Sequence, residues 1–126
     1  MASILIVEDH PTMRDAMRLV LEEDGHQVEE ATDGEAGIAM VRDRAPDVVL
    51  LDLNIPVVSG ATVLETLKAD PSTSDVLVIV VTATGEEGRR KALSQGADGY
   101  ITKPFSPLAL LRTVERVLRG SASSGS

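Results

Sequence analysis

The feature that most constrains the fold is a set of three short apolar runs in which polar and apolar residues do not alternate. They occupy residues 4–7, 48–51 and 76–81 and consist of Val, Ile and Leu. A strand that is apolar on both faces must be covered on both sides, which is typical of a parallel sheet between two layers of helices. Weaker signals around Val28 and over residues 99–102 raise the predicted number of strands to five.

Segments with a helical apolar period separate these strands. The clearest spans residues 13–21, with apolar side chains at i, i+3, i+4, i+7 and i+8, and ends at Gly25. Four more helices are predicted: one stopping before Pro46, then residues 60–69, residues 86–95 with apolar anchors at Ala92 and Leu93, and a last helix closed by Gly120. The alternation predicts one doubly wound α/β domain over residues 1–119, followed by a flexible Ser/Gly tail or linker over residues 120–126.

Composition excludes several classes of protein. With 126 residues and no cysteine, the chain is one domain without a disulfide scaffold, an iron–sulfur site or a thiol nucleophile. Aromatic residues make up only 2%, too few for a reader of single-stranded nucleic acid. No apolar run approaches the ~18 residues that span a bilayer, and no basic segment typical of a signal peptide opens the chain. We therefore expect a cytoplasmic protein that contacts no membrane.

The net charge of −8 is unevenly distributed. Residues 1–88 carry a net charge of −13 and residues 89–126 one of +5. The acidic part disfavours nucleic acid and favours a cation. The basic part is open to two interpretations, a surface for a partner or merely solvated helix faces.

The carboxyl ends of the predicted strands carry polar side chains, namely Glu8 and Asp9 after the first, Asp52 ending the third, Thr82 after the fourth and Lys103 after the fifth. Ligands of doubly wound sheets bind at this edge. Crowded carboxylates repel each other unless a cation neutralises them, and an oxygen-only site with few protein ligands favours Mg²⁺ over Ca²⁺.

A hard cation, a nucleophilic carboxylate, a hydroxyl and an ammonium group together suit phosphoryl transfer. Other chemistries lack their parts. The sequence has neither a nucleotide-binding glycine loop nor a serine elbow, and His10 and His26 lack the spacing of metal ligands.

These residues resemble the receiver domain of a two-component response regulator. The resemblance covers residues 2–119 and implies a flavodoxin-like sheet of order 2-1-3-4-5 with five helices. It rests on five motifs in order: Glu8-Asp9, Asp52-Leu53-Asn54-Ile55-Pro56 with Gly60, Thr82-Ala83, Tyr100 and Lys103-Pro104-Phe105.

The resemblance implies a metal-assisted phosphoacceptor. Asp52 would accept a phosphoryl group from a histidine kinase or a histidine phosphotransfer protein. Asp9 and Asp52 would bind Mg²⁺ directly, together with the backbone carbonyl of Asn54, and Glu8 would act through water.

It also implies a switch. Thr82 and Lys103 would hold the phosphoryl oxygens, Pro104 would follow a cis peptide bond, and the rotamer of Tyr100 would report phosphorylation. Asn54 and Thr84 would flank the path of the water that hydrolyses the phosphate. A second copy or an effector would bind the surface formed by the fourth helix, fifth strand and fifth helix.

Two other functions compete with this signalling role, in which the chain is not a metabolic enzyme. An aspartate-nucleophile phosphatase would need a second aspartate two residues after the nucleophile, and Asn54 stands there. A binding module that never carries phosphate would be expected to lack Asp9, Asp52 or Lys103, and all three are present.

Overall fold

The computed structural model describes residues 2–83 and 86–124, the last four as backbone alone. Five strands alternate with five helices along these ranges. The strands are β1 (Ser3–Val7), β2 (Gln27–Ala31), β3 (Val48–Asp52), β4 (Leu77–Thr82) and β5 (Gly99–Thr102). The helices are α1 (Pro11–Glu23), α2 (Gly34–Arg44), α3 (Gly60–Ala69), α4 (Glu86–Ser94) and α5 (Pro107–Ser124).

The strands form one sheet in the order β2-β1-β3-β4-β5, and every neighbouring pair is parallel. This confirms the predicted flavodoxin-like fold. The order reverses between β1 and β3, whose register pairs Val7 with Leu51. The residues that follow Val7 and Leu51 therefore emerge side by side at the carboxyl edge of the sheet.

Two apolar clusters cover the two faces of the sheet. Helices α1 and α5 pack on one face through side chains such as Met17, Leu21 and Leu110. Helices α2, α3 and α4 cover the other face, and we call this second set the α2–α4 cluster; it includes Val41, Leu64 and Ala92. All five residues of β3 are buried, as its unbroken apolar run predicts.

Two predicted helix details differ from the structure. Leu93 does not anchor α4, because it is 38% exposed, and Ala92 is the one buried residue in that helix. Helix α5 continues past Gly120 to Ser124, since an internal glycine costs a helix only about 1 kcal/mol and does not forbid it. The tail and the domain boundary at residue 119 stay predictions. Among the described helices, none combines the length and the hydropathy that a membrane span requires.

The loop between β3 and α3 contains a strained residue. Val57 has φ of 71°, in the left-handed region that β-branched side chains disfavour. It is also 72% exposed, so packing does not compensate.

Replacing Val57 with asparagine tests this strain. Asparagine tolerates left-handed backbone, so Val57→Asn is expected to raise the free energy of unfolding by about 1 kcal/mol in urea denaturation. Val58, which packs against the α2–α4 cluster, provides the control, and Val58→Asn is expected to destabilise the fold. A neutral or destabilising effect of Val57→Asn would show that the loop holds no such strain.

Candidate functional site

Three carboxylates meet at the carboxyl edge of the sheet. Asp52 ends β3 and is 5% exposed, and Glu8 directly follows β1 and is 1% exposed. Asp9 is exposed, yet one oxygen from each of the three lies within 4.8 Å of the others. The structure thus brings together the acidic residues that the sequence placed at neighbouring strand ends.

Lys103 links two of these carboxylates. Its Nζ lies 2.9 Å from Asp52 Oδ2 and 3.1 Å from Glu8 Oε1. Its backbone N–H donates to the carbonyl of Thr82 at 2.8 Å, which continues the pairing of β5 with β4 by one residue. The bond between Lys103 and Pro104 is cis, as the resemblance implies.

The electrostatics follow from burial and crowding. Burial raises the pKa of Glu8, and the neighbouring Asp52 carboxylate raises it further, while the contact with Lys103 only partly opposes the shift. Burial by itself lowers the pKa of Lys103, but its contacts with Asp52 and Glu8 outweigh that effect, and its pKa is raised. The ammonium group therefore stays charged at neutral pH, and ionising Glu8 costs more free energy in this site than it does in water.

The loop after β3 fixes the Asp52 side chain from the other side. The backbone N–H of Asn54 donates to Asp52 Oδ1 at 2.9 Å. Gly60 begins α3 so close to this loop that a Cβ would clash with the Asp52 carbonyl oxygen. Only glycine fits there, which explains its place in the sequence motif.

A cleft of about 510 Å³ opens above these groups. The three carboxylates, Asn54 and Lys103 line it, together with Met13 and Ala16 of α1. The donor set consists of oxygen atoms that suit a hard divalent cation, and the volume leaves room for water and a phosphoryl group. The residues present therefore fit Mg²⁺.

The two residues with a predicted switching role share one face of the sheet. Thr82 ends β4 and is fully buried, and Tyr100 in β5 packs partly buried against the α2–α4 cluster. Thr82 pairs with Thr102, two residues beyond Tyr100, so Thr82 and Tyr100 point to the same side of their strands. Thr84, assigned to the water path, lies outside the described residues.

Sequence analysis did not single out Arg14. Its guanidinium donates to the backbone carbonyl of Glu8 at 3.1 Å and lies 3.6 Å from Glu30 of β2. The available signal was an arginine in the first turn of α1, a few residues after the acidic pair. This signal is weak, because most arginines in such positions are solvated.

Comparisons with known proteins agree with this geometry. Residues 4–115 match the family described as the response regulator receiver domain. The chain is 42% identical to the protein PilH of Pseudomonas aeruginosa over 125 residues, which cover 95% of this chain and all of that protein. It is 41% identical to the phosphate regulon transcriptional regulatory protein PhoB of Escherichia coli, over 92% of this chain and 51% of that protein. The chain thus spans about half the length of most of the curated relatives it matches.

Solved structures show the same fold. The chemotaxis response regulator CheY4 of Vibrio cholerae superposes with a TM-score of 0.87 at 30% identity, covering 93% of this chain and 98% of that one. A CheY-like receiver domain protein from Methanospirillum hungatei superposes with a TM-score of 0.90 at 29% identity, covering 98% of both chains. The chain belongs to the response regulator receiver domain family.

Proposed function

We propose that this receiver domain is a phosphorylation switch in two-component signalling. Asp52 accepts a phosphoryl group from a histidine kinase or a histidine phosphotransfer protein, with Mg²⁺ as the cofactor. The observation that carries the proposal is the contact of Lys103 with both Asp52 and Glu8 while an Asp9 oxygen lies within 4.8 Å of these carboxylates. A structural ion pair would not need a third carboxylate beside the two that contact the ammonium group.

The metal would be held by the carboxylates of Asp9 and Asp52 and by the backbone carbonyl of Asn54, with Glu8 acting through water. When bound, Mg²⁺ neutralises the charge on the phosphoryl oxygens. Ionised Glu8 is costly in the metal-free site because it is buried beside Asp52. A divalent cation offsets that cost, which supports this assignment.

The remaining side chains orient the nucleophile and hold the transferred group. Lys103 and the N–H of Asn54 each hold one oxygen of Asp52, so the carboxylate has a fixed direction. A carboxylate oxygen forms the new P–O bond as the P–N bond to the donor histidine breaks and the imidazole leaves. Lys103 and the hydroxyl of Thr82 then bind phosphoryl oxygens. Slow hydrolysis of this acyl phosphate resets the switch, and no metabolic substrate is turned over.

The signal would leave the site through α4, β5 and α5. Helix α4 buries only Ala92, so it is among the elements most easily shifted. Tyr100 lies beside it in the α2–α4 cluster, on the same side of the sheet as Thr82. An effector or a second copy of the chain binds the surface formed by α4, β5 and α5.

We place the protein in the cytoplasm. With its charge of −8, the domain itself contacts neither nucleic acid nor a membrane.

The acceptor is tested by Asp52→Asn. Incubation with acetyl phosphate and Mg²⁺ should label the parent protein and leave this variant unlabelled, because the amide is not a nucleophile for phosphorus. Intact-protein mass spectrometry measures the added phosphate. Asp75→Asn is the matched control, since Asp75 is exposed at the opposite edge of the sheet and should not affect labelling. Stoichiometric labelling of Asp52→Asn would refute the assignment.

The charge on Glu8 is tested by the pH dependence of stability without metal. Because its pKa is raised in the folded protein, its stabilising contribution is complete below the ordinary value of 4.5 and is lost as pH rises through the folded pKa. Glu8→Gln abolishes this titration. The free energy of unfolding of Glu8→Gln, relative to the parent, should therefore increase between pH 4 and pH 8 in urea denaturation. Parallel curves for the two proteins would contradict the electrostatic account.

The switch is tested by NMR with the phosphoryl mimic BeF₃⁻. In the parent protein, amide shifts should extend from residue 52 into residues 86–105. Thr82→Ala should still bind the mimic but lose the changes at Tyr100 and α4, because the hydroxyl that couples them is gone. Thr102→Ala, at the exposed position paired with Thr82, should behave like the parent. Changes confined to the loops after β1 and β3 in the parent would rule out this route.

A further inference from the structure

We propose that Arg14 is a positioning residue for the cation site. Its guanidinium holds the turn between β1 and α1 in the shape that presents Asp9 and Glu8 to the metal. The inference rests on the proposed function, in which this cleft binds Mg²⁺.

Arg14 reaches back from the first turn of α1 to the end of β1. Its Nη1 donates to the backbone carbonyl of Glu8 at 3.1 Å, and its Nε lies 3.6 Å from Glu30 Oε1. The side chain is only 17% exposed. Arg14 therefore links three elements, namely α1, β2 and the turn after β1 that carries Glu8 and Asp9.

The Glu8 carbonyl belongs to the peptide unit that leads into Asp9. The preceding backbone group, the N–H of Glu8, is already fixed by the carbonyl of Ala31 at 3.0 Å. With the carbonyl held by Arg14, the peptide between Glu8 and Asp9 cannot rotate without breaking a hydrogen bond. Its orientation determines where the Asp9 side chain starts.

Asp9 depends on this backbone anchor more than its neighbours do. The side chain of Glu8 is held by Lys103 and by the N–H of His10, and that of Asp52 by Lys103 and Asn54. The exposed Asp9 carboxylate forms no hydrogen bond or ion pair with any residue in the described ranges. Its position is thus set through the main chain, the part that Arg14 fixes.

Arg18 provides a natural comparison. It also contacts Glu30, with Nη1 2.9 Å from Oε2, and it contacts Glu22 at 3.2 Å. Unlike Arg14, it makes no contact with Glu8. Both arginines form an ion pair with Glu30. The feature that distinguishes Arg14 is therefore its hydrogen bond to the Glu8 carbonyl.

The test is the Mg²⁺ affinity of the full chain by isothermal titration calorimetry. Arg14→Met should weaken the affinity about 10-fold, the lower end of the effect of losing a group that orients metal ligands. Arg18→Met removes the same charge facing Glu30 and should bind Mg²⁺ as the parent does. Arg14→Lys should fall between, because one ammonium group cannot reach the carbonyl and Glu30 as the guanidinium does.

A second readout is independent of the metal. In Mg²⁺-free protein, the amide resonance of Asp9 should shift in Arg14→Met and stay in place in Arg18→Met. If Arg14→Met does not fold, Glu30→Gln replaces it, since it loosens the anchor of Arg14 and should weaken Mg²⁺ binding to a smaller extent.

Equal Mg²⁺ affinities for the parent and the Arg14 variants, or an equal loss in the Arg14 and Arg18 variants, would overturn this inference and leave the proposed function intact. Failure of the parent protein to bind Mg²⁺ at all would overturn the proposed function itself, and this inference with it.

Discussion

The main electrostatic constraint in this structure is the crowding of carboxylates at one edge of a parallel sheet. The adjacency of β1 and β3 places Glu8 beside Asp52, and both are almost fully buried. When all groups are ionised, the site holds three carboxylates and one ammonium group, which leaves a net charge of two negative units. In the proposed function, a divalent cation would match that deficit, and a phosphoryl group would then bring negative charge for Lys103 to share. Both ligands would thereby stabilise a site that is electrostatically unfavourable without them.

The strand and the helix near this site differ in how much of their surface is buried against the rest of the fold. The central strand β3 is buried along its whole length. Gly60 packs closely against the backbone at the start of the loop after β3, so Asp52 has a rigid support. Helix α4 is different, because Ala92 alone among its described residues is buried. A rigid reaction site beside a weakly anchored helix is the arrangement in which a local change of charge can move a distant surface. The contrast gives a physical basis for a switch without requiring any large rearrangement of the core.

Much of this could be predicted from the sequence, because the relevant signals are local. Unbroken apolar runs predict three of the five strands, and a polar residue just after each run must lie at the carboxyl edge of a parallel sheet. The contacts of Lys103 with carboxylates far away in sequence follow from that topology. Other features depend on packing that periodicity does not report. The exposure of Leu93 depends on how closely α4 approaches the sheet, the strain at Val57 on the path of one loop, and the hydrogen bond of Arg14 on a side-chain direction. The roles of the site residues came from family resemblance and stay predictions, namely those of Glu8, Asp9, Asp52, Asn54, Thr82, Tyr100 and Lys103.

The central claim is that this edge of the sheet binds a divalent cation and a phosphoryl group together, on Asp52. A structure determined from crystals grown with Mg²⁺ and BeF₃⁻ tests this joint binding. The electron density should show one Mg²⁺ bound by Asp9, Asp52 and the Asn54 carbonyl, with the mimic attached to Asp52 and contacted by Thr82 and Lys103. An unmodified Asp52 still paired with Lys103 at saturating BeF₃⁻, or a metal bound away from Asp9, would contradict it.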